Sequence, residues 1–448
     1  MRVSKSWLYP ALFTIGILYF CYIILFSCQT KSRWDYFPDV NDYKTQSEAG
    51  LLSSDFYAPK PKPGVWFFPR PFTVPLFLKM VGSDPAKLVV LQKYVYCICI
   101  ISLLIAILRY IAHPVVKIIA QCGLLFFFTW WNIVGWADIP ISESLSLSLM
   151  FLWFSSILFY YKKQSKLNLL FLIVITFLLS FTRDTWPYII LLFFTLNMAV
   201  SKWLLPHGFK KSIGLFVFSI ALFFLQNYTS NVGERYRLPV FNSLAARVSK
   251  NDEYLAWFKK QGMPQGDVLK KDFKNADVDE NDILVTYKRY EDGTYKELFE
   301  WIIKDGKSKY QQFLLTHPFY LFLQDIPSKE IEQNVFIYNI SDYYQGSEGF
   351  FLNAEHVFPI FNKWVYLIIV LIAVFLFIKT KEILYVFPVI VFFLFIANAL
   401  LSYDADGLEI KRHLFITRIV MEFISVLILL LLINYSTKSI KILKKNDS

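Results

Sequence analysis

"WLYPALFTIGILYFCYIILFSCQTKSRWDYFPDVNDY" (residues 7–43) sets a long apolar run directly against a segment carrying three aspartates. Trp7–Cys28 is about the length needed to cross roughly 30 Å of hydrocarbon as a helix. Arg2 and Lys5 before it suggest a signal peptide, but the run is too long for an h-region and no A-x-A-like site closes it. It reads as a first membrane span. Asp35, Asp39 and Asp42 then stand among Trp34, Tyr36, Phe37 and Tyr43. A chain that is 56% hydrophobic thus places three carboxylates at the edge of a membrane.

Similar apolar runs recur at 87–111, 115–134, 141–160, 167–182, 187–205, 212–228, 364–378, 383–402 and 413–434, giving ten candidate spans. In lipid each backbone amide must find a partner within its own segment, so these runs should be helices. The expected fold class is an all-α polytopic membrane protein, a bundle of about ten transmembrane helices with a small, mostly helical extracytoplasmic domain.

Orientation follows from Lys and Arg in the short connections. With the N-terminus inside, the inner segments carry Arg2, Lys5, Arg109, Lys117, Lys162, Lys163, Lys166, Lys202, Lys210, Lys211, Lys379, Lys381 and the Lys-rich tail, against the acids Glu382 and Asp447. The net charge of +11 is then a topology signal, and a nucleic-acid surface is not needed to explain it. Both termini are expected in the cytoplasm. The five cysteines, Cys21, Cys28, Cys97, Cys99 and Cys122, all fall in or at the ends of apolar runs, without a C-x-x-C or Cys/His cluster. They read as small buried hydrophobes rather than as a zinc site or disulfide framework.

The chain divides into an N-terminal membrane module, 1–228, with seven spans and an outside loop at 29–86; a polar, mostly helical extracytoplasmic domain, 229–363; and a C-terminal module, 364–448, with three spans and a basic tail. In the first loop "RPFTVPLFLKMVG" (70–82) reads as a short interfacial helix. Asp84-Pro85 follows as an N-cap and N1 pair opening the second span. In the polar region "NDEYLAWFKKQG" (251–262) and "TYKELFEWIIKDG" (294–306) read as helices that each end at Gly.

Ionisable residues at span ends gather on the outer side: Asp35, Asp39 and Asp42, then Asp138 and Glu143, Arg183 and Asp184, and "DADGLEIKRH" (404–413) with Glu409, Arg412 and His413. Each has a plainer reading. Asp39 and Asp42 could be solvated loop acids, Glu143 a first-turn acid favoured by the helix dipole, and Arg183-Asp184 an interfacial ion pair. Together they suggest an outward-facing site. Outside the membrane there is no nucleotide sugar, so a sugar donor there must be a lipid-linked phosphate. Its leaving phosphate calls for Arg or protonated His. The acceptor hydroxyl calls for a carboxylate as general base, or as ligand of a divalent cation.

On these residues the sequence resembles the membrane glycosyltransferases of the C-type fold (GT-C), the group that includes protein O-mannosyltransferases and lipid A aminoarabinose transferases. In that group a catalytic Asp near a Tyr follows the first span, here Asp39 with Asp42-Tyr43. A short interface helix rich in Pro and Leu comes next. Glu143 in "SESLSLSL" resembles its polar span start, Arg183 its outer Arg, and "GLEIKRH" its acidic-then-RH element. The resemblance implies a polyprenyl-phosphate-linked donor, a glycan, lipid or protein acceptor, and inversion at the sugar carbon. It implies Asp39 or Asp42 as base, or as ligands if Mg²⁺ or Mn²⁺ takes part. Substrate would be bound by Tyr43, Glu143, Arg183, Glu409, Arg412 and His413, in a bacterial inner membrane with the site facing out. The chain departs from the group in lacking an adjacent Asp-Glu pair and in placing its polar region between spans seven and eight.

Two other readings compete. An O-antigen polymerase or ligase depends on arginines in a large outside loop, and Arg235, Arg237 and Arg247 are available. A transporter or flippase would bury ionisable groups at mid-membrane in repeated halves; here the mid-span positions read as almost wholly apolar, without symmetry between halves.

Overall fold

The computed structural model describes residues 5–27, 39–60, 67–204, 209–273, 292–317, 363–380, 383–405 and 410–446. No strand occurs among the described residues, and the regular structure is helical. The first part of the chain forms α1 (Lys5–Tyr22), α2 (Asp39–Glu48), α3 (Thr73–Met80), α4 (Pro85–Leu108) and α5 (Pro114–Phe128). There follow α6 (Ser142–Lys162), α7 (Lys166–Ser180), α8 (Trp186–Leu204) and α9 (Phe209–Val232). The polar region supplies α10 (Arg237–Ala246), α11 (Asp252–Lys260), α12 (Gly266–Phe273), α13 (Lys296–Trp301) and α14 (Lys307–Thr316). The chain closes with α15 (Lys363–Thr380), α16 (Ile383–Ala405) and α17 (Ile410–Asn446).

Among the described residues, six helical stretches are long and apolar enough to cross a membrane: Tyr9–Phe26, Pro85–Leu108, Ser142–Lys162, Lys211–Val232, Tyr385–Ser402 and Leu414–Thr437. Four shorter apolar helices, Pro114–Phe128, Lys166–Ser180, Trp186–Ala199 and Trp364–Thr380, fall at the other positions read as spans. The outward faces of several of these helices are apolar. Ile15, Leu18, Tyr19 and Tyr22 on α1, Val90, Tyr94 and Ile98 on α4, and Leu367, Ile368, Leu371, Phe375 and Ile378 on α15 are all exposed. Stripes of that extent suit a lipid bilayer rather than water.

The start of α4 follows its local sequence. Asp84 caps the helix by accepting the Ala86 N–H at 2.9 Å, and Pro85 occupies the first helical position. The hub of the bundle is α6, buried at every residue except Phe159, Tyr161 and Lys162. Its serines let neighbours approach closely: the Ser155 hydroxyl lies 2.7 Å from that of Ser102 on α4. Its large side chains fill the remaining volume. Phe151 and Phe154 both meet Phe423 of α17, Phe154 also meets Phe387 and Phe395 of α16, and Trp153 donates to Thr176 of α7 at 3.0 Å.

Ionisable groups occur inside these helices, contrary to the expectation of almost wholly apolar spans. Lys93 of α4 pairs with Asp138 at 2.5 Å, and Arg418 with Glu422, one turn apart on α17, at 3.0 Å. Each cation has an acid within reach, which is the usual condition for tolerating charge in apolar surroundings.

The α10–α14 helices have their own core, in which Phe241 stacks on Phe299 at 4.9 Å and Tyr254, Phe258 and Phe313 pack together. Gly262 ends its helix at φ +87°, as expected, but Gly306 does not: a π-turn over Ile302–Gly306 carries the helix on into α14. A Cβ on Gly306 would sit 3.0 Å from the Trp301 ring, so the glycine lets that ring pack closely within a continuing helix and does not end it.

Candidate functional site

The site begins with α2. Its residues Asp39, Asp42, Tyr43 and Gln46 follow helical spacing, so one face of a mostly polar helix is turned inward, and all four are buried. Two acids in the first turn suit the positive end of the helix dipole. At the other end Lys79 of α3 donates to the carbonyls of Ser47 and Ala49, at 2.9 and 2.8 Å. Gln46 fixes the buried face to the segment beyond. Its amide donates to the carbonyls of Phe56 (2.7 Å) and Arg70 (2.9 Å), and its oxygen accepts the Arg70 N–H at 3.0 Å.

This arrangement delivers Arg70 to both aspartates. Its Nη2 donates to Asp39 Oδ1 at 2.6 Å and to Asp42 Oδ2 at 2.9 Å, and its Nε reaches the same Asp42 oxygen at 3.2 Å. The second Asp42 oxygen accepts the Phe68 N–H at 3.3 Å. One guanidinium thus serves two carboxylates in a largely dry site. Burial, and then the charge of Asp39, push the Asp42 carboxyl up to about 6 even though Arg70 and the Phe68 N–H oppose the shift. Burial also works against the Arg70 charge, but Asp39 and Asp42 outweigh it and hold its pKa above the ordinary value. The Asp39 side chain is 12% exposed and that of Asp42 3%, so Asp39 is the more accessible of the two.

Tyr43 lies under Arg70, with the guanidinium carbon 5.9 Å from the ring centroid, and its hydroxyl lies near Ser142. Burial, followed by Asp39, holds its phenol well above the usual value. Ser142 in turn donates to Glu143 Oε2 at 3.0 Å, in the first turn of α6. Glu143 is fully buried, and the Arg183 guanidinium stands 3.8 Å from its other oxygen. The cluster therefore sets Asp39, Asp42 and Glu143 against Arg70 and Arg183.

Among the residues read as functional, the structure brings Asp39, Asp42, Tyr43, Glu143 and Arg183 into one network. Glu409 lies outside the described residues. Arg412 and His413 are described in backbone only, in the first turn of α17. Two residues further on, Phe415 stacks on Trp136 at 4.2 Å, next to the Lys93–Asp138 pair. Arg183 and Asp184 do not act simply as a pair with each other: Arg183 reaches Glu143, while Asp184 receives Arg235 at 2.9 Å.

Among known proteins, no family model and no curated sequence matches the chain.

Arg70 and Gln46 are the residues that sequence reasoning missed. Arg70 was visible only as a cation opening the interface-helix segment, and nothing local marks Gln46. No group of three or more His, Cys, Asp or Glu positioned for a metal occurs among the described residues. Asp39 and Asp42 converge on a guanidinium, so a divalent cation between them would have to displace Arg70. In chemical terms the arrangement offers two carboxylates held by one arginine, Asp42 with raised basicity and Asp39 the more accessible, with a second arginine–carboxylate pair beside them.

Proposed function

We propose that the chain is an integral membrane glycosyltransferase of the C-type fold, with ten spans and an extracytoplasmic polar domain. It moves a sugar from a polyprenyl-phosphate-linked donor to a glycan, lipid or protein acceptor. The reading places it in a bacterial inner membrane, with the site outside and both termini in the cytoplasm. The observation that carries it is the convergence of Asp39 and Asp42 on Arg70, beside Tyr43, Glu143 and Arg183, from four separate stretches of chain.

In this mechanism Asp39, the more accessible carboxylate, takes the proton of the acceptor hydroxyl. The acceptor oxygen bonds to the anomeric carbon from the face opposite the phosphate. The carbon–oxygen bond to phosphate breaks, its electron pair leaves with the phosphate, and the configuration inverts. Arg70, itself held by Asp42, keeps Asp39 in place. Arg183, with Arg412 and His413, meets the charge that grows on the leaving phosphate. The test is transfer itself: membranes containing the protein, given radiolabelled polyprenyl-phosphate sugars, should move label to lipid, glycan or protein, and membranes lacking it should not.

The ionisable residues inside the helices, Lys93, Arg418 and Glu422, favour a second reading, a transporter or flippase. Proteoliposomes that translocate a lipid-linked sugar without transferring it would support that reading instead.

A further inference from the structure

Arg183 and Asp184 are neighbours in the short turn between α7 and α8, yet they belong to two different clusters. Arg183 stands 3.8 Å from Glu143. Asp184 is gripped from the other side by Arg235, whose Nε and Nη2 reach its carboxylate at 3.1 and 2.9 Å, while Gln226 donates to it at 2.6 Å. Arg235 is itself fixed. Its side chain is 2% exposed, its Nη2 donates to Thr229 Oγ1 at 3.1 Å, and its backbone N–H closes on Ser230.

Arg235 lies in the turn that joins α9 to the α10–α14 helices. Lys307, at the start of α14, bonds to Asn231 in the same region. Burial, with Arg235 close by, lowers the Lys307 pKa even though Asp184 opposes the shift. The opposite side of the 181–185 turn is tied to the first loop. The Thr73 N–H donates to the Phe181 carbonyl at 3.0 Å, three residues after Arg70. The same turn therefore touches the carboxylate site through Arg183 and the root of the polar helices through Asp184.

We propose that Arg235 is a positioning residue: by holding Asp184 it fixes the turn so that Arg183 points at Glu143, and so couples the α10–α14 helices to the carboxylate site. Arg235 is buried but the Asp184 side chain is 45% exposed, so breaking the pair lets Asp184 turn out to water and removes the tether on the turn. Arg183 then swings away from Glu143. This inference rests on the glycosyltransferase reading only for its consequence in catalysis; the positioning itself is measurable without any substrate.

The experiment follows the accessibility of Arg183 by phenylglyoxal labelling of the purified full-length protein, read by peptide mass spectrometry, in wild type, Arg235→Met, Arg235→Lys and Asp184→Asn. The expected result is an Arg183 labelling rate about tenfold higher in Arg235→Met and Asp184→Asn, equivalent to about 1.4 kcal/mol of lost positioning, with Arg235→Lys recovering part of the protection. Transfer assays on the same preparations should show reduced kcat with little change in donor KM. Unchanged Arg183 labelling in folded Arg235→Met overturns the proposal. If Arg235→Met does not fold, unchanged labelling in Asp184→Asn overturns it equally. Altered labelling in a protein that never transfers sugar supports the positioning and removes the glycosyltransferase reading alone.

Discussion

Arg70 and Asp42, 28 residues apart in sequence, are joined by two hydrogen bonds to one carboxylate oxygen, at 2.9 and 3.2 Å. The same guanidinium holds Asp39 at 2.6 Å. Replacing Arg70 with Met therefore leaves two buried carboxylates facing each other without their cation. Removing one partner of a buried ion pair costs roughly 3–5 kcal/mol, and here part of that cost is relieved by protonating Asp42. Thermal melts in detergent should show Arg70→Met strongly destabilised at neutral pH and partly recovered near pH 5. A variant as stable as wild type at pH 7 would mean that the three residues do not form this cluster.

The Asp42 carboxyl, near 6, lies above the ordinary carboxylate value. Between about pH 4 and pH 6 the folded protein keeps a proton that the unfolded chain releases, so this group's contribution to stability falls as pH rises through that window. The span is worth about 3 kcal/mol at most. Asp42→Asn should flatten the pH dependence of the melting temperature between those limits. Transfer should respond in the opposite direction. Below about pH 6 Asp42 carries a proton and no longer meets Arg70 as an anion, so the hold of Arg70 on Asp39 is disturbed and the rate should drop as pH falls. A rate flat from pH 5 to 7 would contradict this.

Gln46 stitches α2 to the segment that carries Arg70 through three hydrogen bonds to backbone. Gln46→Leu keeps the apolar stem but leaves two carbonyls and one N–H without a partner in a buried setting. At about 1–3 kcal/mol for each buried unsatisfied group, partly relieved by water, a loss of roughly 2–4 kcal/mol is expected. It should appear as faster proteolysis of the 39–72 region, measured by limited digestion and mass spectrometry.

How much of this could be read from the sequence depended on the range of each signal. Asp84-Pro85 was legible because a helix cap is a local device. Glu143 and Arg183 were legible as a group because the order of the apolar runs places their flanks at the same end of the bundle. The α2 helix was not legible: its buried stripe is Asp39, Asp42, Tyr43 and Gln46, which has no apolar period to detect. Nor was Arg70 as the partner of both aspartates, since that pairing depends on the chain returning across the intervening segment. Gly306 misled because a glycine at a helix end and a glycine packed close against Trp301 inside a continuing helix look the same in sequence. Lys93 stood in an apolar run, but its partner Asp138 becomes visible only when the chain packs, whereas Arg418 and Glu422, four residues apart on one helix, already formed a readable pair.

Gly233 gives a separate test of how the polar helices are rooted. A Cβ there would stand 3.0 Å from the Pro59 carbonyl and 3.5 Å from Pro69, both in the first loop that leads to Arg70. Gly233→Ala should therefore displace that loop and reduce transfer several-fold with only a modest loss of stability, about 1–2 kcal/mol. Hydrogen exchange over residues 56–72 should report the displacement, and unchanged exchange there would show that the contact is easily relaxed.

The central claim is that the Asp39–Asp42–Arg70 cluster performs sugar transfer from a lipid-linked phosphate. Its most direct test is the initial rate of label transfer from polyprenyl-phosphate sugars by wild type, Asp39→Asn, Asp42→Asn and the double variant, each confirmed folded. The account predicts transfer by wild type, loss of at least about 100-fold in Asp39→Asn, as expected for removing a general base, a smaller loss in Asp42→Asn, and none detectable in the double variant. Full transfer by both single variants and the double variant would contradict it.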